Sequence, residues 1–393
     1  MSESKKLIDP TKKYYGWRIE KLLDEGGFGQ VFKVYKDDKL TGVRKIAALK
    51  AESNDQEGGS AIKLEMSVLM MLHKDGKEMP HVPYMFHAAK RVHFCYMVVT
   101  LLGENLRTLK KWKKGSDTLS VETWSRLALQ CLYSIKLVHD VGFVHRDIKP
   151  ANFMMGRDDD VMRGRLVHIL DFGLARSYAL MRGTTFVGRR ARGNVEFRGT
   201  LRYCSPNVHF KMEQGRHDDL YSLMYIVVEL HCGLPWQTTK EKDVLEKEKL
   251  GKTKVLNKWL PAFYLVIAEL HPIIPHLEKL NCYSRPDYAM IANCFRSLSS
   301  RLKVSFASPY DWEASDEKRK NLGKELLTKR GGPPEYEKNE EFYASDPVGI
   351  NTAPPLTGTG TSDVACQATS EDNKIQQGVS KLTSIQVDQE EKK

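Results

Sequence analysis

The chain lacks any long hydrophobic run. Its longest apolar candidate, around Leu223–Leu230, is far too short to cross a bilayer, which takes about 20 apolar residues. The stretch Met1–Lys13 is polar and rich in lysine, without the apolar core of a secretory signal. We therefore expect neither a membrane span nor a signal peptide, whereas an apolar fraction of 41% is sufficient for a folded core.

Cysteine is also scarce. The seven cysteines are scattered, odd in number and never spaced as C-x-x-C. This pattern excludes a C-x-x-C zinc site and argues against a disulfide framework. Thiols of this kind fit a reducing compartment, so we expect an intracellular protein, in the cytoplasm with the nucleus as the alternative.

Negative charge is in short supply. The chain has 61 Lys and Arg against 50 Asp and Glu, a net charge of +11. After Glu313 the counts are 11 and 14, a net −3, so residues 1–313 carry +14. A basic body favours anionic partners, although it can also serve solubility alone. Because no helix-turn-helix, zinc or RNA-binding signature is present, we expect no specific nucleic-acid recognition.

The first hundred residues are rich in predicted strands. One segment instead has apolar residues at helical spacing. The predicted elements are the helix Ala61–Leu72 and the strands Trp17–Leu23, Val31–Tyr35, Val43–Ala51 and His93–Leu101. This pattern predicts a small strand-rich unit that contains one helix.

The middle of the chain is predicted to be helical. Apolar residues from Trp124 to Val138 recur at three- and four-residue steps, with Ser120 as the N-cap and Gly142 after the end. Further helices are predicted around Asp218–Cys232, Leu260–Leu270 and Pro286–Leu298.

The composition changes after Glu313. Residues 314–330 form a charged extension with helical potential. Over residues 331–393 Gly, Pro, Ser, Thr and acidic residues dominate, and we expect a disordered tail. Its hydroxyls predict either mild autoinhibition by a phosphorylated tail or an inert linker, two alternatives that truncation after Arg330 would distinguish.

Two motifs carry the chemistry. The segment His145–Asn152 (H-R-D-I-K-P-A-N) matches the catalytic-loop signature H-R-D-L-x-x-x-N. Asp171–Gly173 (D-F-G) follows it after a strand-like apolar run. Phosphoryl transfer from ATP needs such a set, because the protein mainly positions groups and supplies charge.

Each charged residue of these motifs has an expected role. Asp147 would accept the proton of a substrate hydroxyl, and Lys149 would neutralise the transferred phosphate. Asn152 and Asp171 offer oxygen ligands of the kind that Mg²⁺ prefers. A loop aspartate is more often a turn former, but the surrounding spacing favours the catalytic interpretation here.

A glycine-rich turn precedes these motifs. The segment Asp24–Val31 aligns with G-x-G-x-x-G-x-V, whose backbone N–H groups approach phosphates closely. Gly26 and Gly29 keep the second and third glycine positions, with Gly27 between them, and Asp24 replaces the first. Alone, the motif could also be an ordinary hairpin turn. The charge of Asp24 is expected to weaken ATP binding.

Lys50 and Glu65 complete the set. Lys50 ends an apolar strand and Glu65 lies inside an apolar helix pattern. They match the strand lysine that contacts the α- and β-phosphates and the helix glutamate that holds it. The alternative, two unrelated surface residues, is the usual fate of both types.

These residues resemble those of eukaryotic protein kinases, most closely the casein kinase 1 superfamily and its tau-tubulin kinase-like branch. The resemblance spans about Tyr15–Glu313. Further stretches that carry it are Gly199–Asn207, Gly215–Leu220, Gly233–Trp236, Arg285–Tyr288 and Pro309–Glu313.

The resemblance implies an α+β, bilobal protein kinase fold over residues 15–313, after an N-terminal extension of residues 1–14. A small β-rich N-lobe with one key helix would cover about residues 15–100, and a large, mostly helical C-lobe about residues 103–313. It implies a serine/threonine kinase that uses ATP and Mg²⁺. The expected nucleotide-binding residues are Leu23, Gly26, Gly27, Gly29, Val31, Ala48, Lys50, Val99, Leu101, Leu102 and Met154.

The family favours acidic or pre-phosphorylated protein substrates. Thr200 would help shape the acceptor site, and nearby arginines would attract the anionic groups. The arginines with this expected role are Arg189, Arg190, Arg192 and Arg198. A solvated basic loop or an internal salt-bridge network is the alternative. A cytoskeletal partner is expected by family analogy only, and we expect a monomer.

Several departures mark a divergent member. Asp24 replaces a glycine, Met224 stands where relatives often have glycine, Pro206 interrupts one motif, and Arg157–Arg165 lengthens the connection to Asp171. None removes a catalytic group. A weakly active or inactive kinase-fold scaffold that binds acidic partners therefore stays open beside an active kinase.

Overall fold

The computed structural model describes residues 7–26, 29–55, 60–74, 76, 78–112, 117–236, 238–239 and 267–354. These residues form two compact units. Unit 1 runs to Leu102 and also contains Asp171–Gly173, and unit 2 contains the other described residues from Gly103 to Pro354. Most of the predicted helix Leu260–Leu270 lies outside the described residues, which resume with a 3-10 turn at Ala268–Leu270.

Unit 1 is built on a six-stranded antiparallel sheet with the strand order β1-β2-β3-β4-β6-β5. A helix, α1, follows the fourth strand. The elements are β1 (Lys13–Tyr14), β2 (Trp17–Gly26), β3 (Gly29–Asp37), β4 (Arg44–Ser53), α1 (Ala61–Leu72), β5 (Met85–Lys90) and β6 (Phe94–Thr100).

Strand alternation sets the two faces of this sheet. Ala47, Leu49 and Ala51 of β4 are buried in a core with residues of β3 and β6. Because successive side chains point to opposite faces, Ala48 and Lys50 lie on the other face. One strand therefore supplies both core residues and the lysine of the expected site.

Helix α1 is positioned by an acidic residue of β4. Oε2 of the buried Glu52 accepts a hydrogen bond of 3.0 Å from the backbone N–H of Ile62, in the first turn of the helix. Ile62, Met66 and Leu69 are buried, as their spacing predicts. The same buried side of the helix carries Glu65.

Unit 2 is mostly helical and contains three two-stranded sheets, β7–β10, β8–β9 and β11–β12, among its described residues. Its elements are α2 (Leu106–Trp112), α3 (Val121–Asp140), β7 (Phe143–Val144), β8 (Phe153–Met155), β9 (Val167–Ile169), β10 (Arg176–Ser177), β11 (Ala179–Arg182), β12 (Thr185–Gly188), α4 (Pro206–His209), α5 (Arg216–Cys232), α6 (Ile273–Leu277), α7 (Tyr288–Arg301), α8 (Leu322–Arg330) and α9 (Glu340–Ala344).

The centre of unit 2 is the long helix α3. Oγ of Ser120 accepts a hydrogen bond of 3.2 Å from the N–H of Thr123, so the predicted N-cap is present. Nearly every residue of the helix is buried, against α5 on one side and α7 on another. The chain leaves α3 directly into β7 and then into residues His145–Asn152, here called the catalytic segment after the signature that they match. Within the described residues, no helix combines the length and apolar character of a membrane span.

The expected α+β architecture is confirmed, with a β-rich first unit and a mostly helical second one. Helix α1 has the predicted bounds. The helix predicted from Pro286 begins at Tyr288 instead, because Asp287 caps it by accepting from the N–H of Met290 at 2.9 Å.

The expectation of a disordered tail from residue 331 is wrong for residues 331–354. This segment includes α9, and Tyr336 and Tyr343 are buried in unit 2 at 1% and 0% exposure. Isolated aromatic residues in a polar segment anchor it here, which composition alone did not reveal. The rest of the expected tail, residues 355–393, lies outside the described residues.

Candidate active site

Unit 1 brings Lys50, Glu65 and Asp171 together. Nζ of Lys50 lies 2.5 Å from Oε2 of Glu65 and 3.6 Å from Oδ1 of Asp171. Burial alone would lower the pKa of Lys50, but the two carboxylates raise it above its usual value. The ammonium therefore stays charged. The side chain of Asp171 is 45% exposed, so its carboxylate is accessible to a ligand.

The glycine-rich turn is only partly described, because Gly27 lies outside the described residues. Gly29 has φ +122°, and a Cβ there would lie 2.0 Å from the carbonyl oxygen of Ala51. Glycine is therefore required where β3 begins. A Cβ added to Gly26 would meet no atom of the described residues within 4 Å. Asp24 is exposed, and its Oδ1 accepts from the N–H of Glu25 at 3.0 Å.

Three of the expected adenine-contacting residues lie on neighbouring strands of unit 1. Val31 of β3 pairs with Lys50 of β4, and Ala48 of β4 pairs with Val99 of β6. Strand alternation places Ala48 on the same face as Lys50. The remaining expected residues are placed as follows: Leu23 is exposed in β2, Leu101 and Leu102 follow β6, and Met154 lies in β8 of unit 2.

Unit 2 arranges the catalytic segment around Asp147. Oδ1 of this buried carboxylate accepts from Oγ1 of Thr200 at 2.7 Å, and Oδ2 accepts from Nζ of Lys149 at 2.6 Å. The amide of Asn152 donates to the backbone carbonyl of Asp147 at 2.9 Å. Gly199 permits this approach, because a Cβ there would lie 2.5 Å from the carbonyl oxygen of Arg146.

Asp219 holds this segment, although the motifs in the sequence assign no role to it. It is 2% exposed, and its carboxylate accepts from the N–H of His145 at 2.7 Å and the N–H of Arg146 at 2.9 Å. Nε2 of His139 lies 2.9 Å away. Burial would raise the pKa of Asp219, but the contacts with His139 and His145 lower it. The available signal for Asp219 was the acidic pair Asp218–Asp219 at the start of a helix. Acidic residues at this position usually only stabilise the helix dipole, so the pair did not single out Asp219.

Two residues of the motifs have a left-handed backbone. Arg146 has φ +67° and Asp171 has φ +65°. Non-glycine residues rarely adopt this conformation, and it persists where the surroundings fix it. For Arg146 the fixing contacts are visible: its N–H donates to Asp219 and its Nε donates to the carbonyl of Leu174 at 2.7 Å.

The arginine-rich loop, residues 189–198, is partly engaged inside unit 2. Arg192 pairs with Glu213 through Nε at 2.7 Å and Nη2 at 2.8 Å. Arg189 donates to Oγ of Ser177 at 2.8 Å. For Arg192 the alternative of an internal salt bridge is thus the observed arrangement. Arg190 lies 3.5 Å from the carbonyl oxygen of Pro354, and Arg198 is exposed.

This region is nonetheless strongly positive. Burial lowers the pKa of Arg146 to about 10, and the charges of Arg176, Arg192 and Arg198 act in the same direction, while Glu213 opposes them. Contacts with Arg192 and the charge of Arg176 outweigh burial and lower the pKa of Glu213. Cations that repel one another in this way favour an added anion.

Asn152 of unit 2 and Asp171 of unit 1 each offer an oxygen donor of the kind that Mg²⁺ prefers. The amide NH₂ of Asn152 is directed at Asp147, which leaves its Oδ1 as an acceptor oxygen, and Asp171 offers an accessible carboxylate. No group of three or more His, Cys, Asp or Glu side chains suited to a metal occurs in the described part of the chain. Each of these oxygens suits Mg²⁺, which binds through one or two protein oxygens plus phosphates and water.

Comparisons with known proteins identify chains of similar sequence. The model of the protein kinase domain matches residues 17–298. An inactive tau-tubulin kinase of Caenorhabditis elegans is 38% identical over 302 residues, which cover 74% of this chain and 97% of that protein. A protein of the same nematode that is named as a serine/threonine-protein kinase is 36% identical over 346 residues, 85% and 93% of the two chains. A third, named as a casein kinase I, is 32% identical over 309 residues, 76% and 83%.

Proposed function

Because the chain belongs to the protein kinase family, in its casein kinase 1 and tau-tubulin kinase-like branch, we propose that it is an active serine/threonine kinase. It transfers the γ-phosphate of ATP, with Mg²⁺, to acidic or pre-phosphorylated proteins inside the cell. The observation that carries this proposal is the arrangement of Thr200, Lys149 and Asn152 around the buried carboxylate of Asp147.

That arrangement suits a hydroxyl acceptor. Thr200 and Lys149 each take one oxygen of Asp147, and a carboxylate has about four acceptor positions, so capacity remains for a substrate hydroxyl. Asp147 orients that hydroxyl and takes its proton, and Lys149 places positive charge beside the transferred group. In unit 1, Glu65 fixes the ammonium of Lys50 for the α- and β-phosphates. Mg²⁺, when bound by Asp171 and Asn152, would neutralise charge on the phosphate oxygens.

The proposed preference for anionic substrates is supported by the arginines that face Arg146. Arg176, Arg192 and Arg198 lower its pKa, and Glu213 supplies the opposing charge. Because Arg192 is held by Glu213, we assign the direct contact with a substrate anion to Arg198 first. The name of the 38% identical relative makes a cytoskeletal protein a substrate worth including in assays.

A second candidate function is supported by the same relative, whose name describes it as inactive. Under this alternative the chain is a kinase-fold scaffold that binds acidic partners without turning over ATP. The charge of Asp24 beside the glycine-rich turn is the feature of this chain that would lower nucleotide affinity.

The first experiment is phosphorylation of casein and tubulin by the purified full-length chain with Mg²⁺-ATP, compared with Asp147→Asn. We expect phosphoserine or phosphothreonine with the parent protein and a loss of about 10³-fold or more in the variant, because the group that orients the hydroxyl has lost its charge. Absence of transfer together with absence of ATP binding favours the scaffold.

The substrate preference is tested with a matched pair of peptides, one pre-phosphorylated and one not. Arg198→Gln should lower kcat/KM for the phosphorylated peptide about tenfold, as expected for one charge-assisted contact, and change the other peptide little. Lys324→Gln, an exposed cation of α8, is the control for net charge. Equal rates on both peptides with the parent protein would refute the preference.

A further inference from the structure

The segment 331–354, here called the strap, is anchored to unit 2 by aromatic residues. Tyr336 and Tyr343 are buried, and the ring of Phe342 lies 4.2 Å from that of Tyr133 in α3, centroid to centroid. Oε1 of Glu337 accepts from the N–H of Phe306 at 2.8 Å. These contacts fix the first part of the strap against the helical core.

Two arginines then fix the path of its backbone. Nη2 of Arg285 donates to the carbonyl oxygens of residues 343, 344 and 345 at 3.0, 3.0 and 2.8 Å. Nη2 of the buried Arg216 donates to the carbonyl of Ile350 at 2.6 Å and to Oδ1 of Asn351 at 3.0 Å. Asp346 closes the turn between them by accepting from Asn351 Nδ2 at 2.7 Å.

The last part of the strap, residues 346–354, contacts the segment that leads into the arginine-rich loop. Gly188 ends β12 and directly precedes Arg189. A Cβ on Gly188 would lie 2.8 Å from Cγ2 of Ile350, so the isoleucine packs on bare backbone. The guanidinium of Arg190 lies 3.5 Å from the carbonyl oxygen of Pro354.

Arg216 also links the strap to Tyr178, which contacts the first residue of the arginine-rich loop. Arg216 lies over the ring of Tyr178 at 4.5 Å, and its Nη1 donates to the tyrosine hydroxyl at 3.3 Å. The backbone N–H of Arg189 donates in turn to the carbonyl of Tyr178 at 2.8 Å. Strap, Arg216, Tyr178 and Arg189 therefore form one connected set of contacts.

We propose that residues 346–354 position the arginine-rich loop for substrate binding, with Ile350 and Asn351 as positioning residues. Neither residue touches the reacting groups. They act through Gly188 and Arg216, which set the position of Arg189, the first residue of the loop. The position of Arg189 in turn determines how the loop presents its arginines. The inference deepens the proposed function and rests on it, since the loop is assigned there to the anionic substrate.

The test is a double-mutant cycle between Ile350 and Gly188 in the full-length chain. Ile350→Ala removes the methyl groups that contact Gly188, and Gly188→Ala forces Ile350 away. Each single variant should raise the Kd of a fluorescent pre-phosphorylated peptide about fivefold, ~1 kcal/mol of binding free energy. The double variant should bind better than the product of the two single effects predicts, because the new methyl takes space that the isoleucine vacated.

Two further readouts separate positioning from a general loss of stability. Hydrogen exchange of peptides covering residues 179–198 should accelerate in both single variants and recover in part in the double variant. The kcat should stay within about twofold, since a positioning contact of the substrate loop affects binding more than chemistry. Thr352→Ala, an exposed strap residue, is the matched control and should change neither quantity.

Truncation provides an independent variant. Ending the chain after Pro354 keeps the strap and should leave hydrogen exchange in residues 179–198 unchanged, whereas ending it after Ser345 removes Ile350 and should accelerate it. Unchanged exchange and unchanged peptide Kd in Ile350→Ala, or strictly additive effects in the cycle, would overturn the proposal. If the parent protein binds the peptide but transfers no phosphate, the proposed kinase activity is refuted. The double-mutant cycle then still tests the positioning role of the strap through the Kd of the peptide.

Discussion

Replacing Asp219 by Asn should uncouple the catalytic segment from helix α5. The carboxylate accepts from two backbone N–H groups, at 2.7 and 2.9 Å, and contacts Nε2 of His139 at 2.9 Å, with only 2% of the residue exposed. An asparagine oxygen can keep one or two of these bonds, but its NH₂ group must then face a donor. The buried NH₂ group and the donor that it faces cannot hydrogen-bond to each other. Because they replace a charge-assisted hydrogen bond, the variant is less stable.

The magnitude follows from those contacts. A hydrogen bond to a charged group contributes ~1.5–3 kcal/mol, and an unsatisfied buried donor costs a comparable amount, so we expect a loss of about 2–4 kcal/mol of unfolding free energy. Arg146, with φ +67°, would relax once its N–H loses its acceptor. A displacement of the neighbouring Asp147 by about 1 Å can lower kcat about 100-fold.

The assay combines urea unfolding with kinase kinetics on the folded protein at low denaturant. Glu313→Gln is the matched control, because Glu313 is equally buried at 2% exposure but contacts Arg165 and the N–H of Tyr310 instead. Both variants should lose stability, and only Asp219→Asn should lose kcat per folded molecule. Equal kcat values for the two folded variants would refute the role assigned to Asp219.

Two further predictions concern nucleotide affinity and pH. Asp24→Gly should lower the Kd of ATP about two- to fivefold at low salt, as expected for one exposed charge near phosphates, and less so in high salt; an affinity independent of this change would contradict the repulsion. Burial lowers the pKa of His168 to about 3, whereas an unfolded histidine titrates near 6.5, so the folded state binds fewer protons and stability falls as the pH drops below about 6.5. Urea unfolding at pH 7.5 and pH 5.5 should show a loss of about 1.4 kcal/mol of unfolding free energy from this group. The variant His168→Gln should lack that part of the loss. An unchanged loss in the variant would disprove the assignment to His168.

Local sequence patterns were sufficient for prediction where a single helix or strand determines the placement of a residue. The apolar spacing of residues 61–72 gives α1 with its observed bounds. Alternation along β4 separates the buried Ala47 and Leu49 from Lys50, so the lysine could be assigned to the other face from the sequence. The roles proposed for Asp147 and Asn152 came from motif spacing, and they stay predictions until kinetic measurements test them.

Placements that depend on distant residues could not be predicted. Asp219 contacts residues more than seventy positions earlier in the chain, and no local periodicity encodes that distance. The polar composition of the strap predicts disorder, whereas Tyr336 and Tyr343 each bury a large ring and Arg285 donates to the backbone carbonyls of residues 343–345. A few aromatic anchors can therefore outweigh a polar average.

The arginines show the same limit for charge. Counting residues predicts a loop of free cations for the substrate, but the structure assigns Arg192 to Glu213 with two hydrogen bonds and Arg189 to Ser177. An arginine that is already paired contributes to the positive electrostatic potential, but few of its N–H donors are available to a substrate. Forming a substrate contact would require breaking the existing pair. If the proposed preference for anionic substrates holds, we expect recognition to depend less on how many arginines the loop contains than on where its backbone holds Arg198. Under the proposed role of the strap, its path is then a determinant of specificity rather than an accessory to stability.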